Sequence, residues 1–287
     1  MKKALKQLMG DPDIALEARS LADMSISGDA DRPLEGSRNL PTNETIPFRY
    51  IPLTMNGNSF QGSIATADLL REIGGGEVIR QITDLFYQKV FVDPHLDQFV
   101  ASHDDPHHMR LGNWIVEKMG GEGKVWTKER ATRHQEPVCL AGGRKHVVHD
   151  RSSAHVAAWY STKRHTHVVG QHFNLQDSRI WMRLMFWSAR QTGVFERSPS
   201  FCDWYIRFIG HFVRVYEEDA PGFARESARW SESEANIAEY LSNGNTMGED
   251  VMGCDGMGVT RREARSQLPK DEAQDWQWPY EVKGQQH

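Results

Sequence analysis

Residues 199–216 carry the feature that most constrains the fold of this chain, a helical repeat of large apolar side chains. Apolar residues recur there at intervals of three and four, which places them along one face of an α-helix. The members of that face are Phe201, Trp204, Tyr205, Phe208, Ile209, Phe212, Val213 and Tyr216. Because aromatic side chains this large favour burial against other elements, the pattern predicts a helical core.

Other segments repeat the helical spacing, and none between residues 65 and 216 shows a comparable alternation of period two. The predicted helices cover residues 66–73, 77–91, 106–119 and 151–160, with a further helix capped by Asp177 or Ser178. Glycine pairs at 74–75 and 120–121 end two of these helices. We therefore predict an all-α core over residues 64–216.

The flanking segments lack a sustained period, so we predict an irregular extension over residues 1–63 and an acidic tail over residues 217–287, in which residues 223–241 are a candidate for a weak helix. The tail holds 15 acidic and 7 basic residues, although the whole chain carries a net charge of only −5. This charge does not favour nucleic acid as a partner. No apolar stretch approaches the ~20 residues of a membrane span. Three cysteines fit a reducing compartment, and we expect a cytoplasmic protein.

Three motifs in the helical region carry groups able to do chemistry. Phe86-Tyr87 lies within a predicted helix, and Asp104-Asp105-Pro106-His107-His108 opens the next one. The segment from His165 to Leu175 contains His167 and His172 and precedes a helix that bears Trp181. Histidine is the commonest metal ligand, and the chain has 13 histidines, most of them between His95 and His211.

The order of these motifs resembles the truncated haemoglobins, most closely those of the second group. Members of that family combine a Gly-Gly turn, a Phe-Tyr helix, a loop aromatic residue, a second Gly-Gly, a histidine segment and a helix with tryptophan. The corresponding residues here are Gly74-Gly75, Phe86-Tyr87, Phe99, Gly120-Gly121, His165 to Leu175, and Trp181. The resemblance implies a globin-like two-over-two helical sandwich over residues 64–216, interrupted by an insertion at 122–161.

The resemblance also implies a haem cofactor and a role for each matching residue. His172 corresponds to the proximal ligand of the iron, with His167 as the alternative. Tyr87 and Trp181 correspond to donors that stabilise a bound ligand. The three remaining matches are His107, which gates the distal side, Leu111, which forms an apolar wall, and Phe99, which wedges the haem. Other histidines of the insertion, namely His134, His146, His149 and His155, are expected to be solvated.

Three functions follow as hypotheses, the first being reversible binding of oxygen or another diatomic ligand such as CO or NO. The second is a haem enzyme, either a nitric oxide dioxygenase or a peroxidase-like catalyst. Because the chain has no Gly-x-Gly-x-x-Gly after a strand, such an enzyme would need a separate reductase. The third is a globin-shaped interaction or sensor module that works through residues 1–63 and 217–287.

Structural roles alone also account for these residues. Tyr87 could satisfy a core carbonyl, and Trp181 could simply pack in the core. His107 could be a solvated residue in the first turn of its helix, and His172 could be a loop histidine.

Overall fold

The computed structural model describes residues 45–56, 59–132, 137–217, 219–252 and 281–282. Most of the predicted irregular extension, and the tail beyond residue 252 with Trp276, Trp278 and Tyr280, lie outside these residues apart from 281–282. Eleven α-helices occur in the described part. They are α1 (Ile64–Glu72), α2 (Gly76–Val90), α3 (His107–Lys118), α4 (Val125–Thr132), α5 (Arg151–Trp159), α6 (Leu175–Gln191), α7 (Val194–Arg197), α8 (Pro199–Val213), α9 (Ala224–Trp230), α10 (Glu234–Ser242) and α11 (Glu249–Met252).

Strands are short and few among the described residues, so the predicted all-α class is confirmed. The strands are β1 (Thr54–Asn56), β2 (Ser59–Phe60), β3 (Val138–Cys139), β4 (Lys145–His146) and β5 (Glu281–Val282). β1 pairs antiparallel with β2 and parallel with β5, and β3 pairs antiparallel with β4. No helix in the described ranges combines the length and apolarity that crossing a membrane requires.

Local sequence signals determine where the first two helices begin and end. Ser63 caps α1 through a reciprocal capping box with Thr66. Gly74 and Gly75 follow with positive φ angles of 106° and 82°. These angles, which glycine adopts without strain, turn the chain sharply into α2. The predicted helices at 66–73, 77–91 and 106–119 are therefore confirmed to within two residues.

Close packing of α2 on α3 sets the position of the motif residues. A Cβ at Gly112 on α3 would lie 2.8 Å from the hydroxyl oxygen of Thr83 on α2, so only glycine allows this approach. The same Thr83 hydroxyl donates to the carbonyl oxygen of His108 at 2.9 Å. These contacts bring Tyr87 on α2 beside His107 at the start of α3.

The cap of α6 differs from the prediction. The helix begins at Leu175, and the N-cap is Asn174, whose side chain accepts a hydrogen bond from the Asp177 backbone N–H. Asp177 returns a bond from its carboxylate to the Asn174 N–H at 2.9 Å. Asp177 is thus the third helical residue rather than the cap, because the extended backbone of Asn174 permits a capping box one turn earlier.

The aromatic face of α8 forms the centre of the core, as its periodicity predicts. Trp204 and Phe208 stack with ring centroids 4.6 Å apart, and Phe212 meets Trp114 of α3 edge-on at 4.6 Å. Phe60 of β2 contacts Phe208 at 5.3 Å. The end of the predicted irregular extension therefore belongs to the core, where Ile51, Leu53 and Phe60 are buried.

The described part of the predicted acidic tail is not a linker but a set of helices packed on α6. Phe223, Ala224, Tyr240 and Val251 are buried in the same core as α8. The charge pattern misleads here because the largely buried Glu226 and the half-exposed Asp250 both pair with arginines of α6. These two acidic residues of the segment thus form ion pairs with the core helix α6.

The inserted segment 122–161 contains α4, the β3–β4 hairpin and α5, and the predicted helix at 151–160 is confirmed. Asp150 caps α5, since its carboxylate accepts a bond from the Ser153 N–H at 2.7 Å. A small apolar cluster of Leu140, Val148 and Ala157 joins the hairpin to α5. This packing fixes the orientation of α5 relative to the hairpin.

Candidate functional site

Six helices contribute to the wall of a partly open cavity of about 270 Å³. Its wall is mostly apolar, and its volume is many times the roughly 15 Å³ that one water molecule needs. Helices α2, α3, α4, α5, α6 and α8 each contribute side chains to it. Among the lining residues are five that the sequence singles out: Tyr87, Phe99, His107, Leu111 and Trp181.

Tyr87 and Trp181 belong to a cluster of aromatic rings that lines the cavity. The Tyr87 ring stacks on the His107 ring at 5.4 Å, and Phe86 meets Trp181 edge-on at 5.0 Å. Burial raises the pKa of Tyr87 to about 12, although the nearby Arg110 charge acts in the opposite direction. The Tyr87 hydroxyl is therefore un-ionised at neutral pH and able to donate a hydrogen bond.

His107 is held in one tautomer by the backbone. Its Nε2 lies 3.0 Å from the carbonyl oxygen of Ser102. That oxygen can only accept a hydrogen bond, so Nε2 carries the proton. Burial lowers the pKa of His107 to about 4, since the bond to Ser102 only partly opposes it. The imidazole is therefore neutral at pH 7, and its side chain is only 21% exposed, which differs from a solvated histidine.

Arg110 is a cavity residue that sequence reasoning missed. It lies one helical turn after His107 on α3, and its guanidinium forms an ion pair with Asp105. The side chain is 8% exposed and lines the cavity. The spacing of three residues from His107 was the available signal, because it places both side chains on one face of a helix.

Phe99 and Leu111 complete the predicted part of the wall. Phe99 ends a short 3-10 helix, Asp97–Phe99, and its ring meets Phe173 edge-on at 5.0 Å. The Arg164 guanidinium lies 4.6 Å from the centre of the Phe99 ring and makes a cation–π contact with it. Leu111 lines the cavity from α3.

His172 does not join these residues. It is exposed, stacks on Trp159 with ring centroids 3.9 Å apart, and is not among the residues that line the cavity. The alternative, His167, is also exposed and lies beside His165 at 3.9 Å. The structure therefore brings neither predicted proximal histidine to the cavity with Tyr87 and Trp181.

His155 takes the place in the cavity wall that the sequence pattern assigned to His172. It lines the cavity from α5, with ring centroids 4.6 Å from Tyr216 and 5.7 Å from Phe173. The expectation that His155 is solvated is wrong, because Ala154, His155 and Ala158 share the face of α5 that lines the cavity. That spacing was visible in the sequence, but the orientation of α5 was not.

A second polar pair lies at the edge of the cavity. Asp177 lines the cavity from α6, and one carboxylate oxygen lies 2.6 Å from Nε2 of His95. The Asp177 side chain is 5% exposed and the His95 side chain 17%. The cavity is thus apolar over most of its wall, with polar groups at a few defined positions.

No group of three or more His, Cys, Asp or Glu side chains that could hold a bare metal ion occurs within residues 45–56, 59–132, 137–217, 219–252 and 281–282. Comparisons of this chain with protein-family models, with curated proteins and with solved structures find no match.

Proposed function

We propose that the cavity binds haem, with His155 as the protein ligand of the iron. The observation that carries this proposal is one apolar cavity lined both by His155 on α5 and by Tyr87, His107 and Trp181 on other helices. A protein that holds haem through histidine needs one imidazole in an apolar, mostly enclosed site. The donor set of the cavity fits this requirement, whereas the described residues do not fit a metal held by protein ligands alone.

The function that this arrangement supports best is reversible binding of a diatomic ligand such as oxygen. When bound, the haem would supply the iron to which the ligand attaches. Tyr87 would donate a hydrogen bond to the ligand, and the Trp181 indole N–H is a second candidate donor. Each such bond is worth ~0.5–1.5 kcal/mol, so two would slow ligand release roughly tenfold to a hundredfold.

The proposal includes the globin-like two-over-two arrangement of residues 64–216. In it, α2 and α3 would form one pair of helices, and α6 and α8 the other. Phe99, Leu111 and Phe173 would contact the flat faces or edges of the haem and exclude water. The inserted helix α5 would provide the proximal side, which makes the insertion part of the site rather than an appendage.

Absorption spectroscopy of the full chain supplied with haem tests the proposal. We expect a Soret band that shifts when carbon monoxide is added to the ferrous form. His155→Ala should alter the band, and added imidazole should restore it by occupying the space that the side chain leaves. The matched variants His172→Ala and His167→Ala should keep the wild-type spectrum.

Two outcomes would contradict the proposal, one by excluding haem binding and the other by assigning a different iron ligand. Absence of a Soret band after loading would remove haem binding altogether. A spectrum that changes in His172→Ala but not in His155→Ala would retain haem binding and return the iron ligand to the histidine that the sequence pattern favours.

A further inference from the structure

We infer that the inserted segment presents a docking face for an acidic one-electron donor protein. The face comprises Arg144, Lys145, Tyr160 and His172, with the buried Trp159 stacked behind His172. One electron leaves the reduced donor and converts ferric iron to ferrous iron in the haem proposed above, so the donor is oxidised by one electron and no bond forms or breaks. This inference rests on the proposed function and assigns a partner class to the same site.

Three aromatic rings connect the cavity with the surface. His155 lines the cavity, and its ring centroid lies 6.1 Å from that of Trp159, which follows one turn later on α5. Trp159 is 3% exposed and stacks on the exposed ring of His172, with centroids 3.9 Å apart and 12° between the ring planes. Because electron transfer slows steeply as the distance between donor and acceptor grows, these rings give a short route from the surface to the proposed iron ligand.

The indole N–H of Trp159 indicates that packing is not the whole role of this side chain. Nε1 is buried and forms no hydrogen bond with any of the described residues. A buried donor without an acceptor costs free energy, and buried tryptophans usually have a partner for this group. Stability alone therefore does not account for a tryptophan here, whereas electron transfer between its two ring neighbours uses the ring and not the N–H.

Backbone and ring contacts join the β3–β4 hairpin to this stack. The Gly170 N–H donates to the carbonyl oxygen of Trp159, and the Ala141 N–H donates to that of Tyr160, each at 2.8 Å. The Arg144 guanidinium lies 5.1 Å from the centre of the Tyr160 ring. The hairpin turn, the end of α5 and the loop before α6 therefore form one continuous face.

The charge of this face differs in sign from that of the whole chain. Residues 138–173 hold five Lys and Arg residues and one acidic residue, although the chain carries a net charge of −5. Arg144 and Lys145 are exposed, and neither has an acidic partner among the described residues, whereas the exposed Lys163 pairs with Asp97 at 2.9 Å. A basic face attracts an acidic partner and speeds its encounter, and complexes that transfer electrons need only a small interface. Because the chain has no Gly-x-Gly-x-x-Gly motif after a strand, the electron has to come from another molecule.

Stopped-flow reduction of the full-length, haem-loaded ferric protein tests the docking face. The donor is a reduced plant-type [2Fe–2S] ferredoxin, an acidic protein, mixed without oxygen in the presence of carbon monoxide so that the Soret band reports reduction. The second-order rate constant should fall roughly tenfold between about 20 and 200 mM salt. Arg144→Glu should lower this rate constant at low salt and weaken the binding of oxidised ferredoxin in isothermal titration calorimetry. Arg71→Glu, the same change of charge at an exposed arginine of α1, is the matched control and should behave as wild type.

Saturation with ferredoxin separates electron transfer from docking. Trp159→Leu should slow the first-order reduction within the complex several-fold, whereas Trp159→Phe, which keeps an aromatic ring, should be closer to wild type. Neither variant should change the affinity for ferredoxin, and both should keep the Soret band because Trp159 does not line the cavity. Dithionite, a small reductant that needs no docking face, should reduce all variants at the wild-type rate.

A second-order rate constant that is independent of salt, or equal in wild type and Arg144→Glu, would overturn the inference, and this result needs no substitution in the core. Equal first-order rates in wild type and Trp159→Leu would also overturn it. Binding to vesicles of anionic lipid that depends on Arg144, without salt-dependent reduction by ferredoxin, would assign the face to a membrane surface instead. Haem loading without the expected effects refutes this inference alone, whereas failure to load haem refutes the proposed function as well.

Discussion

A single imidazole, His107, couples the chemistry of the cavity to the stability of the protein. Burial keeps His107 neutral in the folded state, with a pKa of about 4 against 6.5 for an ordinary histidine. Below pH 6.5 the unfolded chain takes up a proton that the folded protein does not, so unfolding becomes more favourable. This contribution is lost as the pH falls from 6.5 towards 4 and changes no further below 4.

The resulting prediction concerns the difference in stability between pH 7 and pH 5. In wild type, His107 alone should lower the free energy of unfolding by about 2 kcal/mol across that interval. His107→Gln should lose correspondingly less over the same interval, while Thr166→Ala, at an exposed position outside the cavity wall, should lose as much as wild type. Urea unfolding followed by circular dichroism measures all three, and an identical loss in wild type and His107→Gln would contradict the shifted pKa.

At the scale of elements, helix α6 shows how a local cap positions a side chain of the cavity wall. Asn174 and Asp177 form a reciprocal capping box at its first turn, and Trp181 follows one turn later in the cavity wall. Asn174→Ala removes one of the two bonds and should lower the free energy of unfolding by ~1 kcal/mol. Thr162→Ala, at an exposed position of the preceding loop, should have little effect. Chemical denaturation of both variants checks this, and an unchanged midpoint in Asn174→Ala would refute the cap.

The elements also differ in how much of their structure the sequence predicts. Helices α2, α3 and α8 follow from the spacing of apolar residues, and five of the residues singled out, from Tyr87 to Trp181, line one cavity. The replacement of His172 by His155 does not follow from periodicity. Which histidine reaches the cavity depends on how α5 packs against the rest of the core, where His155 contacts Phe173 and Tyr216, and these contacts are long-range in sequence.

At the scale of the whole molecule, the C-terminal helices α9 and α11 supply carboxylates that pair with buried arginines of α6. Arg183 of α6 has a side chain only 2% exposed, and it pairs with Glu226 of α9 and with Asp250 of α11, the latter at 2.5 Å. Burial would lower the pKa of Arg183, but the two carboxylates outweigh it and raise the pKa. Removing one partner from a buried pair leaves charge without compensation, whereas removing both partners can be nearly neutral.

Glu226→Gln should therefore lower the free energy of unfolding by about 3 kcal/mol, because Asp250 alone then faces Arg183. The double variant Glu226→Gln with Arg183→Met should recover part of this loss, since Asp250 then faces Arg179 as its one remaining arginine partner of α6. Glu122→Gln, an exposed residue with the same change of charge, controls for net charge and should be close to wild type. Equal stability of Glu226→Gln and Glu122→Gln in denaturant titrations would show that α9 docks on α6 through its apolar residues alone.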